Sequence, residues 1–400
     1  MCRHVKRNNL SDIRPSHIVL RGKIPWTEKE YWDSIRSNCL FICANLRSLV
    51  NQGHADYTPV FLSQIPSLFY SRELPVDVAL ISVSPPDKRG FCTMGVDIDC
   101  SRAAASNAKK IVALVNPSLP RTHGDTSIHI SQIDYMVEVK DRDVHAKPDG
   151  KEPSQVEKTI GKLIAENLVE DGATLQLGIG TLPDTTLAAM KNHKDLGIHT
   201  EAVGDGVIDL IEMGVITGLK KSILPGKIVT SYAYGTKRFY ELIDNNPLFY
   251  FESCEFTNHH EVIRSNAKMT TVNACIEIDL SGQIASDSIG NTLYSGFGGQ
   301  VDFVSASATA HDGQGKAIIV LPSRTSKGKP KIVSSLTESA GVVTTRGHTH
   351  YIVTEYGIAD LFGKNIRQRA YELIRIAHPD DRENLEKAAF ERFKCMPSKN

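Results

Sequence analysis

The sequence predicts an α/β protein with mostly parallel sheets flanked by helices. Three observations carry this prediction. Short β-branched runs recur along the chain, turn residues bound them, and helical stretches alternate with them. Alternation of this kind is typical of parallel sheets that are covered by helices.

The predicted elements follow one another in a regular order. Runs with the composition of buried strands occupy residues 76–83, 110–115, 134–139, 174–177, 227–230, 317–321 and 351–354. A shorter strand is predicted near 198–203, where Ile198, Thr200 and Ala202 alternate with their neighbours. In residues 155–170 the apolar residues fall on one helical face. Further helices are predicted at 185–193, 205–213, 239–244, 366–377 and 380–394.

Length and charge exclude several classes of protein. The 400 residues contain 46 Lys and Arg and 46 Asp and Glu, so the formal net charge is zero. This balance argues against a protein that binds nucleic acid through its overall charge. No apolar run reaches the roughly 18–20 residues of a membrane helix. The eight cysteines show no CxxC spacing, which favours free thiols in a reducing compartment.

A polar linker divides the chain into two domains. Residues 144–153 contain two prolines and few apolar side chains, which is typical of a connection between domains. We therefore expect one α/β domain over residues 1–152 and a longer one over residues 153–400.

The first candidate site is a glycine-rich turn between a strand and a helix. Gly178, Gly180, Thr181 and Pro183 follow the predicted strand 174–177. Such a turn exposes backbone N–H groups beside a helix N-terminus, which suits an anion or a developing oxyanion. A tight turn that binds no ligand explains the same pattern equally well, and Pro183 replaces the third glycine of a dinucleotide-binding fingerprint.

Two further segments contain residues that could carry chemistry. Glu201 lies near the end of the strand predicted at 198–203, where a lone glutamate is more often solvated or ion-paired. Gly298, Gly299 and Gln300 belong to a segment with three glycines in four positions. Glycine allows close backbone approach to a ligand, although a bulged sheet edge is the alternative.

Together these segments resemble the acetyl-CoA hydrolase/transferase family, and most closely its acetate and 4-hydroxybutyrate CoA-transferases. The resemblance rests on His199-Thr200-Glu201, on the Gly178–Pro183 turn and on Gly298-Gly299-Gln300-Val301-Asp302. Matching stretches run in order from about residue 16 to residue 394, and they include 54–60, 83–87, 124–126, 235–238, 273–275, 286–290 and 353–357.

The resemblance implies a fold, a reaction and a set of site residues. It implies two CoA-transferase-type (NagB/RpiA-like) domains, the second of which carries the catalytic glutamate. Glu201 would attack the acyl-CoA thioester and then carry CoA as a glutamyl thioester in a ping-pong reaction. The acceptor would be a small carboxylate such as acetate, succinate or 4-hydroxybutyrate. The coenzyme A thioester is then a substrate, and no bound cofactor is expected.

The resemblance also implies roles for the residues around Glu201. The Gly178–Pro183 turn would face the glutamate, and the Gly298-Gly299 backbone would help to bind the thioester carbonyl. Asn258 matches a family asparagine near the acyl site, although an asparagine in a turn is often only a cap. We expect Glu355 and Asp302 to be packing and hydrogen-bonding residues. His259, His260, His348 and His350 lack further ligands at metal-binding spacing, so no metal site is expected.

Three further expectations concern the chain as a whole. Against the family pattern the first strand–helix unit looks absent, a loss of roughly 40 residues. Acyl-CoA hydrolysis by the same glutamate, or a CoA-binding protein with impaired catalysis, is the alternative to transfer. We expect small-molecule substrates, no nucleic acid or membrane partner, and a homodimer. The first ten residues weakly resemble an organelle presequence, which suggests a mitochondrial protein, with the cytoplasm as the alternative.

Overall fold

The computed structural model describes residues 2–139, 144 and 152–400. The N-terminal part contains short strands and helices: α1 (Cys2–Arg7), β1 (Ser16–His17), β2 (Asn38–Cys39), α2 (Arg47–Asn51), β3 (Asp56–Tyr57), α3 (Ile65–Tyr70), β4 (Val78–Val83), β5 (Phe91–Thr93), α4 (Ser101–Asn107), β6 (Lys110–Val115), β7 (Ser127–His129) and β8 (Tyr135–Glu138). Strands β1, β2 and β3 form one parallel sheet, and β4, β6 and β8 form a second. Strands β5 and β7 pair antiparallel.

The C-terminal part begins at a well-capped helix. The Ser154 hydroxyl accepts a hydrogen bond from the Glu157 backbone N–H, and the Glu157 carboxylate accepts one from the Ser154 backbone N–H. This reciprocal capping satisfies two donors that a helix start leaves unpaired. Most of the predicted linker lies outside the described residues, and the predicted domain boundary between residues 152 and 153 stays a prediction.

Helices and strands then alternate to the end of the chain: α5 (Gln155–Asn167), β9 (Thr174–Leu177), α6 (Thr181–Ala188), β10 (Gly197–Val203), α7 (Ile208–Glu212), β11 (Ile228–Ala233), α8 (Lys237–Ile243), β12 (Phe249–Phe251), α9 (Cys254–Thr257), α10 (His260–Arg264), β13 (Thr270–Ala274), β14 (Glu277–Asp279), β15 (Ile284–Ala285), β16 (Ser288–Ile289), β17 (Thr292–Leu293), α11 (Gln300–Ala308), β18 (Lys316–Val320), β19 (Ile332–Val333), β20 (Tyr351–Thr354), β21 (Gly357–Asp360), α12 (Ile366–Arg375) and α13 (Pro379–Phe393).

One large sheet organises this second part. Its strand order is β12-β11-β10-β9-β13-β18-β20-β21, and every neighbouring pair is parallel except β20 with β21. The four residues of β9 are all buried, as expected for a central parallel strand. The predicted class of mostly parallel sheets flanked by helices is confirmed.

The structure departs from the predicted elements at several places, and two of them, α6 and β13, lie next to the candidate site. Helix α6 begins at Thr181, four residues earlier than predicted, so Thr181 and Pro183 belong to the helix and not to the turn. Proline is tolerated in the first helical turn because the N–H groups there have no partner within the helix. Strand β13, which pairs with both β9 and β18, was not predicted. Its run of two threonines, valine and asparagine is weakly apolar.

The two parts share their hydrophobic core. Buried residues of β4 and β6, such as Val83 and Ala113, belong to the same cluster as Leu175 of β9 and Ile198 of β10. The opposite face of the β4-β6-β8 sheet leaves large apolar side chains exposed, among them Leu80, Leu114 and Val137.

Candidate active site

Glu201 lies near the carboxyl end of β10, inside the large sheet. Ligands of open parallel sheets bind at this edge, where the connecting loops converge. Alternation along the strand separates its two faces: Thr200 and Ala202 line a small cavity together with residues of α6, whereas His199 and Glu201 point to the face covered by α9 and α11. The strand therefore aims the predicted nucleophile at two helix ends.

Asn258, directly after α9, contacts the glutamate. Its Nδ2 donates to Oε2 of Glu201 and to Oδ2 of Asp302, each at 3.3 Å. The Thr257 hydroxyl donates to Oδ1 of Asn258 at 2.9 Å, which fixes the orientation of the amide. Behind it, Nε2 of His199 lies 2.8 Å from the Thr257 carbonyl. Asn258 also occupies the C-cap of α9, as the alternative interpretation expects, and its role near an acyl site stays a prediction.

Gly299 approaches the glutamate from the other side, at the start of α11. A Cβ atom on Gly299 would lie closer than 3.0 Å to both Oε2 of Glu201 and Nδ2 of Asn258, a separation that real Cβ atoms essentially never show. The position therefore requires glycine because of this close approach. The backbone N–H of Gly299 bonds the carboxylate and lowers the pKa of Glu201, which matches the preference of helix N-termini for negative charge.

Burial nevertheless dominates the protonation of Glu201. It raises the pKa of Glu201 from 4.5 to about 7, because an ionised carboxylate loses water contacts there. The hydrogen bond from Asn258 lowers the pKa, and the negative charges of Asp302 and Asp99 raise it. A carboxylate with this pKa is ionised at slightly alkaline pH and only weakly solvated, which favours attack on an electrophile.

A cavity of about 70 Å³ opens beside the carboxylate. Glu201 and Gly298 contribute to its wall, and the other lining residues are apolar side chains of the N-terminal part: Ile18, Val19, Leu40, Phe41, Val60, Leu62 and Ile65. Since about 10–15 Å³ of such volume holds one water molecule, the cavity admits a chain of a few heavy atoms. The arrangement suits a short apolar acyl group whose reacting carbon faces Glu201.

The wall of this cavity is fixed to the second part of the chain. The Leu62 N–H donates to the Gly298 carbonyl at 3.1 Å, and the Cys254 thiol donates to the Leu62 carbonyl at 3.3 Å. Gly298 has a φ of +56°, a conformation that glycine adopts without steric cost. The predicted residues Glu201, Asn258, Gly298 and Gly299 are thus brought together.

The remaining predicted residues lie further from the carboxylate. The Gln300 side chain donates to Thr344 at 3.3 Å, so only the backbone of Gln300 belongs to the start of α11 near Glu201. Gly178 and Gly180 follow β9, the neighbour of β10, and a Cβ on either would meet no atom within 4 Å. Gly178 and Asp184 of α6 line a small cavity with Thr200 and Ala202 of β10, on the face of the strand opposite the Glu201 side chain, and the expectation that the Gly178–Pro183 turn faces the glutamate stays a prediction. Its CoA-binding role stays a prediction.

Sequence reasoning missed part of this site. Asp302 was expected to be a packing and hydrogen-bonding residue and does accept hydrogen bonds, but it was not predicted that one donor is the Asn258 amide that also contacts Glu201. The signal was present, since Asp302 belongs to the same glycine-rich segment as Gly299. The apolar wall contributed by residues 18–65 left no such signal, because its residues are ordinary core types dispersed along the chain.

Comparison with known proteins decides the family. The model of the acetyl-CoA hydrolase/transferase N-terminal domain matches residues 1–146, and the model of the C-terminal domain matches residues 235–389. The chain belongs to the acetyl-CoA hydrolase/transferase family. This member is 52% identical to a succinyl-CoA:acetate/propanoyl-CoA:succinate CoA transferase of Fasciola hepatica, over 99% of this chain and 82% of the relative.

Two further relatives of this family member support the assignment. It is 45% identical to the 4-hydroxybutyrate coenzyme A transferase of Clostridium kluyveri, over 97% of this chain and 89% of the relative. The crystal structure of 4-hydroxybutyrate CoA-transferase from Porphyromonas gingivalis superimposes with a TM-score of 0.82 at 36% identity, over 98% of this chain and 89% of that one. The expected loss of a first strand–helix unit stays a prediction.

The described part of the chain contains neither a group of metal ligands nor a helix that could span a membrane. Within residues 2–139, 144 and 152–400, no three His, Cys, Asp or Glu side chains are grouped so that they could hold a metal ion. In that same part of the chain, every helix is too short or too polar to cross a membrane.

Proposed function

We propose that this family member is a CoA-transferase that moves CoA between acetyl-CoA, or another short acyl-CoA, and a small carboxylate. One observation carries the proposal: the half-buried carboxylate of Glu201 is held by Asn258 and by the start of α11 at the mouth of a small apolar cavity. The named activities of the relatives at 45% and 52% identity support the same reaction class.

The proposed reaction uses Glu201 as a covalent nucleophile. Its carboxylate oxygen attacks the thioester carbonyl, the C–S bond breaks, and the CoA thiolate leaves behind an acyl-glutamyl anhydride. The thiolate then attacks the glutamyl carbonyl, which forms a glutamyl-CoA thioester and releases the first carboxylate. An acceptor carboxylate takes CoA by the reverse steps and regenerates Glu201.

Each attack produces a tetrahedral oxyanion that needs donors. The backbone of Gly298 and Gly299 is close to Glu201 and precedes a helix, which makes it a source of such donors. Losing one donor to an oxyanion typically costs about 2.7–4 kcal/mol of transition-state stabilisation. The space beside Gly178 and Gly180 is empty, since a Cβ on either would meet no atom within 4 Å. This turn is therefore our second candidate for contacts with the CoA thioester.

Chemical trapping tests the proposal. The protein is incubated with acetyl-CoA and treated with borohydride, which reduces a glutamyl thioester, and the modified peptide is identified by mass spectrometry. We expect modification at Glu201 that Glu201→Gln abolishes. Glu241→Gln is the matched control, because Glu241 is an exposed glutamate that only approaches Lys237. A folded protein that gives no adduct would refute the transferase reaction and favour the CoA-binding protein with impaired catalysis.

Hydrolysis by the same glutamate is the second candidate, since the family description names both activities. The two reactions differ only in whether water or an acceptor carboxylate attacks the enzyme intermediate, and only the acceptor carboxylate leaves with CoA attached. Release of free CoA is therefore measured with and without acetate, succinate or 4-hydroxybutyrate. CoA release that is independent of the acceptor would assign the protein as a hydrolase.

We also propose that the protein is a homodimer and that it is mitochondrial. A homodimer is supported by the exposed apolar face of the β4-β6-β8 sheet, because parallel sheets are usually covered on both faces. Light scattering of the wild type and of Leu80→Glu, a change in a 67% exposed side chain, tests whether this face joins two copies. Mitochondrial location stays a prediction that imaging of a tagged chain would check.

A further inference from the structure

Asp302, on α11, connects the cavity wall to the amide that holds Glu201. Its side chain is 8% exposed and receives donors from two distant segments. Oδ1 accepts the Ser63 hydroxyl at 2.8 Å, and Oδ2 accepts the Ser63 N–H at 3.2 Å and Nδ2 of Asn258 at 3.3 Å. Ser63 lies in a short 3-10 helix, Leu62–Gln64, whose Leu62 lines the cavity.

The geometry leaves Asn258 little freedom. Its amide oxygen is occupied by the Thr257 hydroxyl, and its amide nitrogen faces both Glu201 and Asp302. An amide nitrogen carries two N–H groups, so Asn258 can donate one to Glu201 and the other to Asp302. If Asp302 moves with the cavity wall, the amide must rotate or shift, and its hydrogen bond to Glu201 changes with it.

We infer that Asp302 is a positioning residue, which couples the wall of the acyl cavity at Ser63 to the nucleophile Glu201 through Asn258. The inference rests on the proposed function, because it assigns Glu201 the nucleophilic role. Asp302 does not contact the reacting atoms. It sets the direction of the amide that does contact the nucleophile.

Charge gives this arrangement a distinctive signature. The charged groups that raise the pKa of Glu201 are Asp302 on α11 and Asp99 in the segment before α4, and the pKa of the neighbouring Cys254 thiol on α9 is itself raised by burial and by these carboxylates. Burial raises the pKa of Asp302 to about 6, so Asp302 is largely ionised at neutral pH. Removing its negative charge favours the ionised form of Glu201 and lowers the pKa of that carboxyl.

Asparagine is an informative replacement for Asp302. One amide supplies a single acceptor oxygen, whereas Asp302 uses both of its oxygens to accept three donors. In one orientation the new amide nitrogen takes the place of Oδ2 and faces both the Ser63 N–H and the amide nitrogen of Asn258, whereas in the other it takes the place of Oδ1 and donates to the Ser63 hydroxyl. The second orientation keeps these contacts but removes the negative charge, and it weakens the bond from Asn258 because a neutral amide oxygen is a poorer acceptor than a carboxylate.

The experiment compares Asp302→Asn, Ser63→Ala, the double variant and Ser63→Thr in the CoA-exchange assay. Ser67→Ala is the control, because the Ser67 hydroxyl donates to the Gln64 carbonyl and not to Asp302. We expect Asp302→Asn to lower kcat by on the order of 10- to 100-fold with little change in KM. Its acid limb of kcat/KM should move to lower pH. Ser63→Ala should lower kcat less, and Ser63→Thr should restore it.

Two further readouts make the inference refutable. Because both substitutions weaken one connection, the double variant should be little slower than Asp302→Asn, whereas independent effects would multiply. An unchanged kcat and pH profile in Asp302→Asn would overturn the inference, as would multiplied effects. If Asp302→Asn does not fold by circular dichroism, Ser63→Ala and its threonine rescue decide alone. Trapping in the wild type is run first, so that a missing Glu201 adduct refutes the proposed function and not the coupling.

Discussion

Replacing Gly299 with alanine would place a methyl group in the contact between Glu201 and Asn258. The new Cβ would lie closer than 3.0 Å to Oε2 of Glu201 and to Nδ2 of Asn258, whereas ordinary van der Waals contact begins at 3.4 Å. The carboxylate would have to move by about 1 Å, and a displacement of about this size can cost 10²-fold in rate. We therefore expect the exchange rate to fall about 100-fold, equivalent to about 2.7 kcal/mol in the activation free energy.

The effect on folding should come from overpacking alone and should leave the protein folded. Gly299 has φ −96° and ψ 7°, which alanine can adopt, so the substitution introduces no left-handed strain. Overpacking of about 1–3 kcal/mol remains, and a chain of this length should show only a modest shift in its unfolding temperature.

The assay measures kcat and KM for exchange between acetyl-CoA and an acceptor acid, together with thermal unfolding. Gly347→Ala is the matched control, because the nearest atom to its new Cβ would be 3.7 Å away. Wild-type kcat in a folded Gly299→Ala protein would refute the assignment of the Glu201–Asn258–Gly299 contact as the reacting centre. Equal losses in both alanine variants would point to a general effect on folding.

The remaining predictions concern protonation and the cavity. The acid limb of kcat/KM should have an apparent pKa near 7, as burial dictates for Glu201, and a limb below pH 5 would contradict that environment. The raised pKa means that the folded state binds more protons than the unfolded state between pH 4.5 and 7, so this group's contribution to stability falls as pH rises through that window. Glu201→Gln should therefore be inactive but about 2–3 kcal/mol more stable than wild type in denaturant unfolding at pH 8, with the gain absent at pH 4. Val60→Ala should raise kcat/KM for hexanoyl-CoA relative to acetyl-CoA by about 10-fold or more, and Val60→Phe should reverse that preference.

Much of the fold could be predicted because its strands have a simple physical signature. A strand buried on both faces, such as β9 or β18, is a short apolar run between turn residues, and the alternation with helices follows directly. Strand β13 escaped prediction because its threonines and asparagine are satisfied by tertiary contacts. Asn273 exchanges amide hydrogen bonds with Gln176 on β9, at 3.0 and 3.4 Å, which single-sequence patterns cannot indicate.

The start of α6 shows a similar limit. Pro183 reads as part of a turn, yet it occupies the third position of the helix, where no internal hydrogen bond is lost. The first intrahelical bond runs from the Asp184 N–H to the Gly180 carbonyl at 3.0 Å. The existence of α6 was therefore predictable, whereas its first residue depended on which backbone donors found partners.

The sequence by itself indicated the candidate nucleophile, the glycine-rich segment and the family pattern, because each is a local arrangement of residue types. Only the tertiary structure decided what surrounds Glu201. Residues 41, 60 and 62 of the first part, Asn258 and Gly299 meet at one carboxylate, although they are separated by up to about 260 positions. Such contacts arise from packing of two sheets against a shared core, and burial in that core raises the pKa of the glutamate. Residue order alone carries neither the distances nor the loss of water that produces this shift.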